Sequence, residues 1–226
     1  MQQQDLAKKA AGEKAAEYIK PGMTIGLGTG STAYYAIMRV GALVRDGMPL
    51  RAVATSEQSE LLAKEQGIPI ISFSEVDKID LDIDGADEVD EHFRLIKGGG
   101  GALLREKIVA AASSEMIVIT DESKYVKHLG RFPLPVEIIP FAWELTFKRL
   151  IALDAAPVLR TRDGRTFVTD NGNYILDCHY EKIKDPAGLH QQLNDIPGVV
   201  ENGLFLHYAS RLIIGYADGS VKSLSR

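Results

Sequence analysis

The chain has 226 residues, which at about 150 per domain suggests one large domain or two unequal ones, able to bury about 70% of the unfolded surface without a metal or disulfide staple. Hydrophobic residues make up 45% and charged residues 25%, an ordinary globular composition that excludes a mainly disordered chain. Lys plus Arg at 26 against Asp plus Glu at 31 gives a net charge of −5, which argues against general affinity for nucleic acid or acidic membranes while leaving room for a local basic pocket.

The opening stretch MQQQDLAKKAAGEKAAEY has no apolar core for a signal peptide and reads as a helix over residues 5–19. Apolar runs follow at 23–28, 50–55, 68–73, 81–83 and 116–120, several rich in Ile and Val, as strands buried on both faces should be. Between them, 31–45, 57–65 and 101–112 have the length and the Ala, Leu, Glu and Lys content of helices. Strand alternating with helix predicts an α/β fold with a mostly parallel sheet covered on both sides. Ligands of such sheets sit outside the carboxyl ends of the strands, so chemistry is sought there.

The texture changes after Lys124. The segment 131–140 (RFPLPVEIIP) holds three prolines and reads as a crossing segment, neither regular helix nor central strand, followed by a helix over 141–153. Residues 165–169 and 174–178 flank Asp170-Asn171-Gly172-Asn173, a strong hairpin signal. A helix over 187–194 and a strand over 203–208 complete a small α+β lobe, after which 212–216 and the turn Asp218-Gly219 are expected to rejoin the first domain. The expected division is 1–130 plus 208–226 for the larger domain and 131–207 for the smaller. No run approaches the ~18 apolar residues of a membrane span, so a soluble, cytoplasmic protein is expected.

Four motifs carry candidate chemistry. Gly26-Leu27-Gly28-Thr29-Gly30-Ser31-Thr32 runs from an expected strand into a helix. Glycines let the backbone approach a ligand, and free N–H groups with the helix dipole favour an anion. Ser31 rather than Gly stands three past Gly28, which excludes the dinucleotide fingerprint, and no Gly-Lys precedes the hydroxyl residues as a P-loop requires. A glycine turn with an N-cap is one reading; a small phosphate ester suits the combination better. The second motif is Asp82-Ile83-Asp84-Gly85-Ala86-Asp87-Glu88-Val89-Asp90, at a strand's carboxyl end. A calcium loop fails, because Ala86 holds its fifth position and Asp87 its glycine position. Glu88 and Asp90 fit a solvated acidic loop, whereas Asp84 and Asp87, flanking Gly85 and Ala86, are placed to bind hydroxyls or move protons.

In the third motif, Lys97-Gly98-Gly99-Gly100-Gly101 leads into a helix bearing Glu106. Four successive glycines are entropically costly in an ordered chain and suggest backbone packed against a ligand, with N–H groups forming an anion nest. Lys97 can set a cation beside developing negative charge. Glu106 shares a helix face with Ala102, Val109 and Ala110, which makes it either a partly desolvated general base or an ordinary surface acid. Arg105 and Lys107 are expected to point outward or pair with acids. In the fourth, Asp121-Glu122-Ser123-Lys124, the lysine either reaches the same ligand or is a surface residue. Cys178 is the one cysteine, which excludes an internal disulfide, and it reads as a packed thiol; the histidines at 92, 128, 179, 190 and 207 show no metal-ligand spacing.

These pieces in this order resemble ribose-5-phosphate isomerase, type A: GLGTGSTA at 26–33, DGADEVD at 84–90, KGGGGALLREKI at 97–108 and DESK at 121–124. FPLPVE at 132–137, TDNGNYILD at 169–177 and IPGVVENGLF at 196–205 also look like that family, so the resemblance spans nearly the whole chain; Ser210 departs from it, where an acidic residue is expected. The resemblance implies a Rossmann-like domain of the sugar-isomerase and coenzyme A-transferase-like group with a smaller α+β lobe. It also implies a homodimer or homotetramer, no metal or organic cofactor, and interconversion of D-ribose 5-phosphate and D-ribulose 5-phosphate in the pentose phosphate pathway. By the same resemblance Glu106 is the base, and Lys97 with the N–H groups of Gly98, Gly99 and Gly100 stabilises an enediolate. Asp84 and Asp87, with Gly85 and Ala86 between them, hold hydroxyls. Thr29, Gly30, Ser31 and Thr32 bind the ligand, with Lys124 a further contact and Lys8 near the phosphate. Two other functions stay open: a sugar-phosphate-responsive regulator that binds without turnover, and an isomerase-deaminase acting on an amino-sugar phosphate.

Overall fold

A computed structural model describes residues 3–226, and residues 1 and 2, counted above in the first domain, lie outside the described residues. In chain order the elements are α1 (Gln3–Ala16), β1 (Thr24–Leu27), α2 (Ser31–Arg45), β2 (Arg51–Ala54), α3 (Glu57–Glu65), β3 (Leu81–Gly85), β4 (Glu88–Val89), β5 (Leu95–Ile96), α4 (Leu103–Ala112), β6 (Met116–Asp121), β7 (Leu134–Ile138), α5 (Trp143–Ile151), β8 (Ala156–Leu159), β9 (Thr161–Arg162), β10 (Arg165–Thr166), β11 (Tyr174–His179), α6 (Pro186–Asn194), β12 (Val199–Asn202), β13 (Leu204–Phe205), β14 (Ala209–Gly215) and β15 (Val221–Ser225). They form two compact units. The first holds the chain up to Ala86, Arg105–Tyr125 and His207–Arg226; the second holds Asp87–Leu104 and Val126–Leu206. Residues 87–104 therefore cluster with the second unit, because β4 and β5 form a three-stranded sheet with β13.

The first unit is built on a six-stranded sheet in the order β15-β14-β6-β3-β1-β2, parallel throughout except for the β14–β15 edge pair. β1 and β6 are buried along their whole lengths, which is why they read as unbroken apolar runs rather than alternating ones. Ile25, Leu27, Ile83, Ile117, Ile119 and Ile213 pack against Ala11, Ala15, Ile37 and Val40 of α1 and α2. A smaller cluster joins Val53, Ile79 and Val109. The strand neighbours of β1 are β2 on one side and β3 on the other. The chain order reverses there, and the crevice at the carboxyl ends of β1 and β3 is the ligand position expected of an open α/β sheet. The stretch around 212–216 lies in this sheet, as β14 beside β6. The strand expected over 68–73 is reduced to a single bridge, Ala52 with Ile70. Pro69 supplies no N–H, and Ser72 caps a 3₁₀ turn at Phe73–Glu75 that ends any pairing. No helix among the described residues is long and apolar enough to cross a membrane.

The second unit contains a four-stranded antiparallel sheet, β12-β7-β11-β8, with a core of Leu134, Val136, Ile138, Leu150, Leu176, Cys178 and Leu193. Two expectations are corrected here. The proline-rich segment does contain a central strand, β7, because its prolines fall at the margins. Pro133 and Pro140 lie outside the strand, and Pro135 sits next to its start, where its carbonyl still accepts from the Gly203 N–H at 2.8 Å. The expected hairpin around Asp170-Asn171-Gly172-Asn173 does not form either. β10 pairs instead with β9 through Asp163-Gly164, whose φ values of 52° and 73° match the twist of a two-residue hairpin turn. β11 pairs with β7 and β8, and residues 169–173 fold over a buried carboxylate, Glu137. The helix expected over 141–153 is shorter at both ends: Ala142 adopts a left-handed conformation as its N-cap.

Candidate active site

In the first unit, the turn after β1 meets the end of β3. Asp84 is fully buried, and its Oδ1 accepts from the backbone N–H of Thr29 at 3.0 Å and of Gly85 at 2.7 Å. Gly28 is required by this approach, since a methyl group there would overlap the Asp84 carboxylate and Cα. The Thr29 hydroxyl lies 2.8 Å from both the Thr55 and Ser56 hydroxyls and 3.2 Å from that of Ser59. Thr55 and Ser59 are anchored in turn on the Leu27 and Gly28 carbonyls, at 3.1 and 2.7 Å. Residue 30 then N-caps α2 as a glycine with φ of 107° and no side-chain cap, so the first turn, with Ser31 and Thr32, offers its N–H groups outward. Ser31 and Gly30 also line a cavity of about 440 Å³ with Tyr34, Gln58 and Ser59.

Glu106 occupies the first turn of α4 and is only 4% exposed, with Ala102, Val109 and Ala110 also buried, which makes it a desolvated carboxylate rather than a surface acid. Of the two alternatives expected for Arg105 and Lys107, pointing outward or pairing with acids, burial of Lys107 excludes the first for that residue, while Arg105 approaches Glu57 at 3.9 Å. Lys124 ends the 3₁₀ turn that follows β6 and is half-buried. That turn is capped by Asp121, which accepts from the Ser123 N–H at 3.0 Å. Lys8 lies on α1, half-buried.

In the second unit, Asp87 and the glycine run come together. Asp87 Oδ2 accepts from the Gly99 N–H at 2.7 Å, and the Asp87 N–H donates to the Ile96 carbonyl at 2.8 Å. Gly98 and Gly101 have φ of 109° and 91°, the left-handed region, and a turn closes between them through Gly101 N–H to Gly98 carbonyl at 3.0 Å. Lys97 is 2% exposed, and its ammonium lies 5.5 Å from the centroid of the Phe205 ring. Its backbone N–H is held by Gly203. Ala86 is half-buried at the close of the first unit, one residue before Asp87.

Glu88 and Asp90 are not part of a solvated loop. Glu88 is 1% exposed and accepts backbone N–H groups from Gly130 at 2.7 Å and Phe132 at 2.8 Å. Asp90 is fully buried and takes Arg94 at 2.6 and 2.7 Å, together with the His92 and Arg94 N–H groups. Both carboxylates are structural anchors, paired as buried charges must be. Two features were missed in the sequence. The hydroxyls of Thr55, Ser56 and Ser59 follow β2, and the rule used for β1 and β3 (look past the strand's carboxyl end) would have found them. Arg160, which donates to the Gly98 carbonyl at 2.8 Å, carries no local signal. Cys178 is buried, and burial first, then the charge of Asp177, pushes its thiol up to about 12. His190 hydrogen-bonds with Asn202 and Asn194, and no group of three metal-ligating side chains occurs among the described residues.

A mostly parallel α/β sheet with a glycine turn, a buried carboxylate and clustered hydroxyls at its carboxyl edge has the arrangement of the class of open α/β proteins whose ligand sites lie at that edge. Comparison with known proteins narrows the class. The family profile for ribose 5-phosphate isomerase A (phosphoriboisomerase A) matches residues 51–219, and the chain belongs to that family. Ribose-5-phosphate isomerase A of Bacillus mycoides (strain KBAB4) is 54% identical over 94% of this chain and 96% of its own length. The Plasmodium falciparum ribose 5-phosphate isomerase superposes with a TM-score of 0.95 at 38% identity, covering 98% of this chain and 99% of that one. A D-ribose-5-phosphate isomerase solved in complex with phospho-erythronic acid gives a TM-score of 0.92 at 43% identity, covering 97% of each chain.

Proposed function

We propose that this protein is an aldose-ketose isomerase interconverting D-ribose 5-phosphate and D-ribulose 5-phosphate. The observation that carries this reading is end-to-end similarity to enzymes of that activity, one of which binds phospho-erythronic acid. That ligand is a phosphorylated four-carbon sugar acid, and its carboxylate sets negative charge beside a hydroxylated chain, as an enediolate does.

The reaction begins with ring opening, for which Asp84 and Asp87 hold hydroxyls and pass protons. Glu106 removes the C2 proton of the open aldehyde, the C2 hydroxyl proton moves to O1, and Glu106 returns its proton to C1. Negative charge on O1 and O2 peaks between these steps, where Lys97 and the N–H groups of Gly98 and Gly100 stabilise it, the Gly99 N–H holding Asp87 Oδ2 at 2.7 Å. The hydrogen leaves and returns as a proton, so the step requires no redox group. Thr29, Gly30, Ser31, Thr32, Gly85, Ala86 and Lys124 bind the substrate, with Lys8 near the phosphate. Burial of Lys97 supports its assignment, since a desolvated cation acts strongly on a bound anion, and burial of Glu106 supports its role as a base screened from water. Resemblance to the family supports a homodimer or homotetramer working in the cytoplasm, in the pentose phosphate pathway.

Proton NMR of the purified protein with ribose 5-phosphate in deuterated water and EDTA tests the proposal. Ribulose 5-phosphate is expected to appear, with deuterium entering the exchanging position. Binding without conversion by folded protein overturns the isomerase reading in favour of a sugar-phosphate sensor. Ammonia release from glucosamine 6-phosphate, without pentose conversion, favours the amino-sugar enzyme.

A further inference from the structure

Arg160 lies at the end of β8, 62 residues from the glycine run, yet its Nη1 donates to the Gly98 carbonyl at 2.8 Å and to the Gly99 carbonyl at 3.3 Å. Its other donors engage Asp177 in a bidentate pair, Nε to Oδ2 at 2.9 Å and Nη2 to Oδ1. The backbone of Arg160 is fixed as well, between the Ile175 carbonyl and the Phe167 N–H, both at 2.9 Å. Phe167 lies against Gly101, occupying the space a Cβ there would need. The guanidinium is thus seated by Asp177, on a backbone that is itself fixed, before it meets the loop, and its geometry matches a carboxylate on one edge and carbonyls on the other.

The consequence follows from peptide planarity. In a trans peptide the carbonyl and the next residue's N–H point in opposite directions. Drawing the Gly98 and Gly99 carbonyls toward Arg160 turns the N–H groups of Gly99 and Gly100 away from it. The Gly99 N–H meets Asp87 Oδ2 at 2.7 Å, so Asp87 and the Gly100 N–H lie on the face of the loop opposite Arg160. Glycines have no side chain to fix such an orientation; within the run the Gly101 N–H, at 3.0 Å, holds the Gly98 carbonyl, and Arg160 adds a donor from outside that reaches both the Gly98 and Gly99 carbonyls.

We infer that Arg160, seated by Asp177, is a positioning residue of the isomerase: it fixes the direction of the Gly99 and Gly100 amides and, through Gly99, the carboxylate of Asp87. This inference rests on the reading above that the glycine run and Asp87 receive the sugar phosphate. Arg160 itself does not touch substrate. It acts on the group that stabilises charge in the transition state, so its loss lowers kcat more than it raises KM.

The test compares wild type, Arg160→Ala and Arg160→Lys in steady-state isomerisation, with circular dichroism and a thermal melt for each. Arg160→Ala is expected to lose about 10²-fold in kcat, the scale of a small misplacement of catalytic groups, with KM changed far less. Millimolar methylguanidinium, which refills the vacated position, is expected to restore part of that loss. Arg160→Lys, keeping the charge but not the planar fork, should fall between. Wild-type kcat in folded Arg160→Ala overturns the inference, as does a loss that follows only the unfolded fraction and resists methylguanidinium. Should Arg160→Ala not fold, Arg160→Lys decides, wild-type kcat overturning the inference and reduced kcat at near-constant KM supporting it. Failure of the wild-type protein to turn over ribose 5-phosphate strikes the functional reading instead, and so is distinguishable.

Discussion

The backbone N–H of Thr29 donates to Asp84 Oδ1 at 3.0 Å, joining residues 55 apart in the chain. This bond ties the glycine turn after β1 to the end of β3, at the point where strand order reverses. Both residues are thereby held in place by the fold itself, the pre-organisation that the role proposed for them would use.

Replacing Gly28 with alanine puts a methyl group onto Asp84, whose Cα is backbone and cannot swing aside. Gly28→Ala is expected to destabilise the protein by roughly 1–3 kcal/mol, the usual cost of overpacking, and to reduce turnover through displacement of Asp84. Urea denaturation and steady-state kinetics check both effects, and unchanged values would contradict the close approach.

Glu106→Gln keeps the size and burial of the side chain while removing its basicity. Turnover is expected to fall roughly 10²–10⁴-fold with the fold intact, and solvent deuterium incorporation should fall in parallel. Near-normal turnover in the folded variant would remove Glu106 from the role of base.

Lys97→Met retains length and removes charge at a position only 2% exposed. A drop in kcat of about 10²–10³-fold is expected if the ammonium stabilises the enediolate, the range found for loss of one oxyanion donor. An effect confined to KM would make Lys97 a uniform binding residue.

Glu137 is fully buried, and its Oε1 accepts from Thr169 Oγ1 at 2.9 Å, Asn171 Nδ2 at 3.2 Å and Asn173 Nδ2 at 2.9 Å. Glu137→Ala strips the acceptor from all three and is expected to cost roughly 1–3 kcal/mol or more. The loss should appear in a thermal melt and as faster hydrogen exchange across residues 169–173. A variant as stable as wild type would show that the loop holds itself.

The Cys178 thiol, pushed up to about 12, stays protonated in the fold when the unfolded chain, at about 8.5, has already lost its proton. Between these values the native state binds more protons, so stability is complete below about pH 8.5 and declines as pH rises toward 12. Burial raises Tyr180 in the same direction. Urea midpoints at pH 8 and pH 10 should show the decline, and Cys178→Ala should flatten it. An equal slope in both proteins would assign the decline elsewhere.

Much of the fold was legible because its signals are local. The helices at Ser31–Arg45 and Glu57–Glu65 were read with these same bounds, and four parallel strands were recognised from runs too apolar to face water. The glycine turns announced themselves through composition alone. What escaped was decided by distant partners. Glu88 and Asp90 look solvated in a row of acids, but Gly130, Phe132 and Arg94 bury and satisfy them. Asp170-Asn171-Gly172-Asn173 has the chemistry of a hairpin turn, yet Asp163-Gly164 makes the hairpin, and Glu137 claims the asparagines.

The sequence by itself therefore determined the alternation of strand and helix, the places where the glycine turns fall, and the identity of the chemical groups. Each of these follows from forces acting over a few residues: backbone sterics, hydrophobic periodicity and helix capping. Tertiary structure alone decided which charges are buried, which strand Pro135 enters and which way the glycine amides point. A hydrogen bond reaches about 3 Å, and partners far apart in the chain come within that distance only after the chain has folded.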